Sequence, residues 1–172
     1  MASVLIVVDM LRDFVEPGCA LYIGAAAEKV KPQVRAALKA ARDQGRPVIY
    51  LCDRHRPNDS EFVMFSPHCL EGTPGAEVVP ELAPSAGEII IPKRRYSGVF
   101  GTDLDATLRE KGVGELWLCG VCTNICVLYT AADARMRGYR VVILREAVAS
   151  FSEAAHRFAL EEMERTLGCE VR

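Results

Sequence analysis

Apolar residues along this chain come in short β-branched runs, separated by longer stretches in which they recur every three or four positions. Val4 to Val8 is aliphatic throughout, as expected of a strand covered on both faces. From Ala25 to Gln44, the apolar positions Val30, Val34, Ala37, Leu38 and Ala41 mark one face of a helix that Gly45 can end. Pro47–Cys52, Glu88–Ile91, Glu115–Cys119 and Arg140–Leu144 read as further strands. Asp103–Lys111, Asn124–Arg137 and Ser152–Leu167 read as helices, and Cys169–Arg172 as a short sixth strand or a frayed tail. Strands alternating with helices imply parallel strands and crossover connections. The expected class is α/β: a three-layer, doubly wound, mostly parallel sheet of five to six strands with helices on both faces. Residues 1–172 fit one domain, long enough to bury a sizeable core.

One segment breaks this rhythm. From Asp53 to Gly87 the chain is polar, rich in proline and glycine, and carries two of the three histidines. A long ordered loop in a compact domain is usually functional. It begins where a strand ends, and ligand crevices in open α/β sheets lie at the carboxyl ends of strands. Asp9, Asp53, Lys93 and Cys119–Cys126 all fall after predicted strands, so the candidate chemistry converges on that edge of the sheet.

Half of the residues are hydrophobic and the formal net charge is −2, which gives no electrostatic reason to expect nucleic acid or a membrane surface as partner. No apolar run reaches the roughly 20 residues of a spanning helix, and Met1–Asp9 lacks the basic flank and cleavage site of a signal peptide. The seven cysteines are an odd number, so they cannot all pair within the chain. The expectation is a cytoplasmic protein with reduced thiols.

Cys126 follows a predicted strand and tight turn and opens a helix. A helix N-terminus lowers a thiol's pKa and offers N–H groups to an oxyanion. Against this stands an ordinary core cysteine, or a metal or Fe–S cluster built on Cys119, Cys122 and Cys126. Asp9 follows an aliphatic strand and is either used chemically or caps a turn. Lys93, after Ile89-Ile90-Ile91-Pro92, is either a surface charge or a partner of these two. Together they make a device in which a carboxylate takes the thiol proton and an ammonium stabilises the anions. Asp53 and His55, two apart on extended chain, point to one side, and with Glu61 and His68 they either suit Zn²⁺, Fe²⁺ or Mn²⁺ or are a chance set in a polar loop.

These segments, in this order and over nearly the whole chain, resemble the isochorismatase-like cysteine hydrolases, and among them the nicotinamidase/pyrazinamidase branch. The resemblance rests on Val7-Val8-Asp9-Met10 with Asp13-Phe14, on Asp53-Arg54-His55, and on Pro67-His68-Cys69-Leu70-Glu71-Gly72-Thr73-Pro74-Gly75. It continues in Pro92-Lys93-Arg94-Arg95-Tyr96-Ser97 and in Gly120-Val121-Cys122-Thr123-Asn124-Ile125-Cys126-Val127.

The resemblance implies a catalytic triad of Asp9, Lys93 and Cys126, with the backbone N–H groups of Cys122 and Cys126 as oxyanion hole and a cis bond before Cys122. It implies a divalent metal (zinc, or iron or manganese) on Asp53, His55, Glu61 and His68, and no organic cofactor. Phe14, Phe65 and Tyr96 are the implied substrate contacts. The implied reaction is hydrolysis of nicotinamide to nicotinate and ammonia through a thioester, in NAD salvage; a homo-oligomer is expected only because such small single domains commonly form one. True isochorismatases cleave a vinyl ether and lack the nucleophilic cysteine. Two positions depart from the branch: Asn124 stands where an aspartate is common, and the loop between His55 and His68 is short. The alternatives are an amidase for a ureido, carbamoyl or other small amide, and a redox-active or regulatory thiol protein.

Overall fold

In the computed structural model, which describes residues 1–172, the aliphatic run near the N-terminus forms β1 (Ala2–Val8) inside a six-stranded sheet. The other strands are β2 (Val48–Asp53), β3 (Ile89–Lys93), β4 (Val113–Val121), β5 (Arg140–Ala149) and β6 (Glu170–Val171). Their order is β3-β2-β1-β4-β5-β6 and every pairing is parallel. The expected mostly parallel sheet is therefore wholly parallel.

Five helices cover it: α1 (Arg12–Val15), α2 (Ala25–Asp43), α3 (Leu104–Glu110), α4 (Leu128–Met136) and α5 (Glu153–Arg165). Alternation along β1 divides the core between the two faces. Val4, Ile6 and Val8 pack with Leu104 and Leu108 of α3, Ala131 and Ala134 of α4, and Leu160 and Met163 of α5. Leu5 and Val7 pack on the opposite side with Phe14 and Val15 of α1 and Val30, Val34 and Leu38 of α2. Each buried Val, Leu, Ile, Phe or Met among them contributes about 1.5–3 kcal/mol of transfer free energy. Gly45 ends α2 as its position suggests: at φ 64° it donates to Arg42 O at 3.0 Å, while Arg46 N–H reaches Ala41 O at 2.8 Å.

The strand order places a reversal between β1 and β4. The chain winds outward through β2 and β3, then returns to pair β4 with β1 and winds outward the other way. Loops leaving β1 and β4 part in opposite directions there, which opens a crevice at the carboxyl ends.

Three boundaries differ from the sequence expectation. β4 runs on to Val121, past the expected end at Cys119, because it keeps pairing with β1 and β5. β5 reaches Ala149 through an irregularity: Leu118 pairs with Ile143, yet Gly120 pairs with Val148, so Leu144–Ala147 bulge out of register. β3 includes Pro92 and Lys93, a proline tolerated on an edge strand. No helix is long and apolar enough to cross a membrane.

Candidate active site

Asp9 is the first residue beyond β1 and takes a left-handed backbone conformation, φ 50°, which a short carboxylate side chain tolerates better than most. Gly120 makes the approach from β4 possible: a Cβ there would sit 2.0 Å from the Val8 carbonyl oxygen. Asp53 and Lys93 are the last residues of β2 and β3 and are register partners, so sheet pairing itself sets their side chains together. Lys93 is 1% exposed and donates to Asp53; its Nζ also lies 2.7 Å from Asp9 Oδ2 and donates to Cys126 Sγ at 3.3 Å. The Asp53 N–H donates to Asp9 Oδ1 at 2.8 Å. Asp9, Asp53 and Cys126 offer atoms within 4.8 Å of one another.

One ammonium thus serves two carboxylates, and the two part company. Burial and the Asp53 charge raise the Asp9 pKa to about 6, against the pull of Lys93. Burial works in the same direction on Asp53, yet Lys93 and His55 hold it below the usual carboxylate range. Burial disfavours the Lys93 ammonium, but the two carboxylates keep its pKa well above the ordinary lysine value. Groups pushed apart in this way are suited to different roles.

Cys126 does not sit in the first turn of a regular helix. It lies in a π-helical turn, Thr123–Val127, ahead of α4. The Val121–Cys122 bond is cis, and the Cys122 carbonyl accepts from Ile125 and Val127, on either side of Cys126. The expected lowering of the Cys126 pKa by a helix end is overruled: burial pushes the thiol well up, with Lys93 acting against it. Asn124, at the position that departs from the branch, accepts a hydrogen bond from the Ser150 hydroxyl. Cys119 points elsewhere, into the core on the α2 side, with its thiol on Ile6 O at 3.6 Å. The three thiols therefore do not gather into a cluster, and all seven cysteines are free.

Asp53, His55 and His68 present ligand atoms within 4.8 Å of one another, and Glu61 Oε1 lies 4.0 Å from His68 Nε2. His55 Nε2 is buried without a hydrogen-bond partner, 3.5 Å from Asp53 Oδ2. Its other nitrogen donates to Asp59 Oδ2 at 3.0 Å, and His68 Nδ1 donates to Ser66 O at 2.8 Å. Both imidazoles are held by Nδ1, with Nε2 toward the carboxylates. A buried ring nitrogen with no hydrogen-bond partner, beside carboxylates and a second imidazole, fits a divalent cation of the zinc, iron or manganese kind.

Asp59 has no counterpart in the sequence reading. It accepts from Glu61 N at 3.0 Å and from Arg95 Nη1 at 3.0 Å. Burial opposes its charge, but these donors and His55 hold its pKa down at about 2. The available signal was an Asp two residues before Glu61, at the start of a turn.

Beside these groups runs a narrow crevice lined by Phe14, Phe65 and Tyr96, by Asp53, Glu61 and His68, and by Cys122 and Cys126. The expected contacts Phe14, Phe65 and Tyr96 are thus brought to one space, with the Phe65 and Tyr96 rings 6.4 Å apart. Leu21, Ile125 and Phe151 complete its apolar wall. No arginine or lysine lines it.

The isochorismatase domain family matches residues 3–171. Among solved structures, the chain is similar to nicotinamidase/pyrazinamidase PncA from Bacillus subtilis, with TM-score 0.94, 35% identity and 99% of each chain covered. It is similar to the pyrazinamidase of Pyrococcus horikoshii in complex with zinc, with TM-score 0.93, 36% identity, and 100% of this chain and 99% of that one covered. It is also similar to N-carbamoylsarcosine amidase from Thermoplasma acidophilum, with TM-score 0.92, 35% identity, and 100% and 96% covered.

Proposed function

We propose, from the premise that this chain belongs to the isochorismatase family and is an amidohydrolase, that its substrate is a neutral, planar aromatic carboxamide of the nicotinamide type. The observation that carries the reading is the crevice wall, where aromatic and apolar side chains meet the carboxylates of Asp53 and Glu61 and the imidazole of His68, with no arginine or lysine. Lys93, the ammonium that reaches Cys126, is engaged by Asp9 and Asp53. A carbamoyl acid of the N-carbamoylsarcosine kind brings a carboxylate, and no arginine or lysine lines the crevice to receive it. A neutral ring asks for the aromatic walls instead.

In the proposed sequence the proton rests on Cys126 until substrate arrives. Asp9 accepts it as the sulfur attacks the carboxamide carbon, and a C–S bond forms. The oxygen, now an anion, is received by the N–H groups of Cys122 and Cys126. Asp9 returns the proton to nitrogen, the C–N bond breaks, and ammonia leaves a thioester. Water then attacks the thioester, Asp9 takes a water proton, the C–S bond breaks, and the acid is released as the thiol is restored. Lys93 holds Asp9 and the sulfur in register throughout. Asp53, His55, Glu61 and His68 would hold a divalent cation, which supplies a Lewis-acidic partner for a pyridine-type ring nitrogen.

Ammonia release tests this directly. Nicotinamide should exceed both benzamide, which lacks the ring nitrogen, and N-carbamoylsarcosine by at least about tenfold in kcat/KM, a difference of 1.4 kcal/mol. Cys126→Ala should abolish turnover while Cys169→Ala changes stability only. A higher kcat/KM on the carbamoyl acid would overturn the substrate reading. Activity retained in Cys126→Ala would overturn the mechanism.

A further inference from the structure

The donor cluster depends on which nitrogen of His55 carries its proton. A histidine binds a cation only through an unprotonated nitrogen, so Nε2 must be bare and Nδ1 must hold the hydrogen. In this chain one side chain imposes that choice. Asp59, whose side chain is 4% exposed, accepts from His55 Nδ1 at 3.0 Å through Oδ2. Its Oδ1 accepts from Glu61 N at 3.0 Å, which sets the turn Ser60–Val63 that carries the Glu61 carboxylate. Arg95 Nη1 bridges both oxygens, at 3.0 and 3.2 Å. The Arg95 carbonyl in turn accepts from Lys93 Nζ at 3.3 Å. One carboxylate therefore orients two of the four donor residues and ties them to the segment beyond β3 that holds the lysine. His68, by contrast, is held by the backbone carbonyl of Ser66.

We propose that Asp59 is the positioning residue of this centre: it fixes His55 as the Nδ1–H tautomer and so leaves Nε2 free to bind a divalent cation. The inference rests on the metal-holding role given above to His55 and Glu61. Its cleanest probe is Asp59→Asn. The amide oxygen can still accept from Glu61 N, so the turn is kept. The amide nitrogen then faces His55 Nδ1 with a donor, which drives the imidazole proton to Nε2, where it blocks the cation.

Two measurements test this without reference to turnover. Nitrogen-15 spectra of the metal-free wild-type protein, recorded at alkaline pH where the imidazole is neutral, should report His55 as the Nδ1–H tautomer, and those of Asp59→Asn the Nε2–H tautomer. Competition with a chromogenic chelator should show Zn²⁺ bound about 10–100-fold more weakly by Asp59→Asn than by wild type. A wild-type His55 carrying its proton on Nε2 would overturn the inference without any variant. So would a wild type that binds Zn²⁺ stoichiometrically beside an Asp59→Asn that matches it within twofold, and the metal-holding role would then stand. A wild type that takes up no Zn²⁺ would overturn both.

Discussion

His156 of α5 and Thr123 of the turn that carries Cys126 are joined, Nδ1 to Oγ1, at 2.8 Å. Thr123 is wholly buried, and its hydroxyl can donate to the neutral imidazole. Burial lowers the His156 pKa, with Arg145 acting in the same sense and Glu153 and Glu146 against it. A base with a depressed folded pKa contributes stability that is present above the unfolded value of 6.5 and is lost as pH falls through the folded value. The His156 contribution to the melting temperature should therefore decline as pH drops from 7 to 5. His156→Gln, which keeps an acceptor but cannot protonate, should flatten that decline. An unchanged pH dependence of Tm in His156→Gln would remove the imidazole from the account.

Asp9→Asn should fold and fail to turn over. The amide oxygen can still accept from Asp53 N, and Lys93 still has Asp53 as its counter-ion. What is lost is a group able to take and return the thiol proton, worth about 10²–10⁴-fold in rate. Because burial raises the Asp9 pKa to about 6, the ionised base is lost as pH falls below that value, and wild-type kcat/KM should fall with it. Near-wild-type kcat in Asp9→Asn would reassign this residue to holding the β2 terminus alone.

Gly120→Ala should cost about 3 kcal/mol or more, because φ 110° is unfavourable for any side chain and the added carbon meets the backbone of Val8 rather than a movable group. Gly138→Ala is the matched control. Its φ of 89° carries the conformational cost, about 1–2 kcal/mol, but nothing lies within 4 Å of the added carbon. Urea unfolding of both variants separates the two contributions. Equal losses would mean that β4 can retreat from β1 after all.

The sheet was legible wherever burial left an apolar imprint. The β1 run and the α2 stripe are where the sequence puts them, because each packs one uniform surface against a core. β5 beyond Leu144 was not, since Arg145 and Glu146 bulge away from the sheet and write a polar gap into a continuous strand. α1 spans only four residues, too short for any period to register. Asp9, Asp53 and Lys93 stood out because costly polar groups sat at strand ends, whereas Glu61 and His68 were singled out from the long polar loop and Cys126 from the turn that opens the next helix. That the Cys126 thiol is raised rather than lowered was hidden, for burial on all sides is a property of the assembled layers. Asp59 was hidden for a related reason. Its partners His55 and Arg95 come from segments on either side of it, and only the returning chain brings them together.

The two ends of the sheet carry a consequence for the molecule in a crowded solution. An open parallel sheet exposes a row of unpaired amides at each border, and such rows invite other chains to add strands. Here one border is β3, whose five residues include Pro92, and the other is β6, only two residues long. Neither gives a visiting strand more than a few rungs. Self-association by growth of the sheet is thereby discouraged from both sides, and contacts between copies fall to helices, loops and side chains.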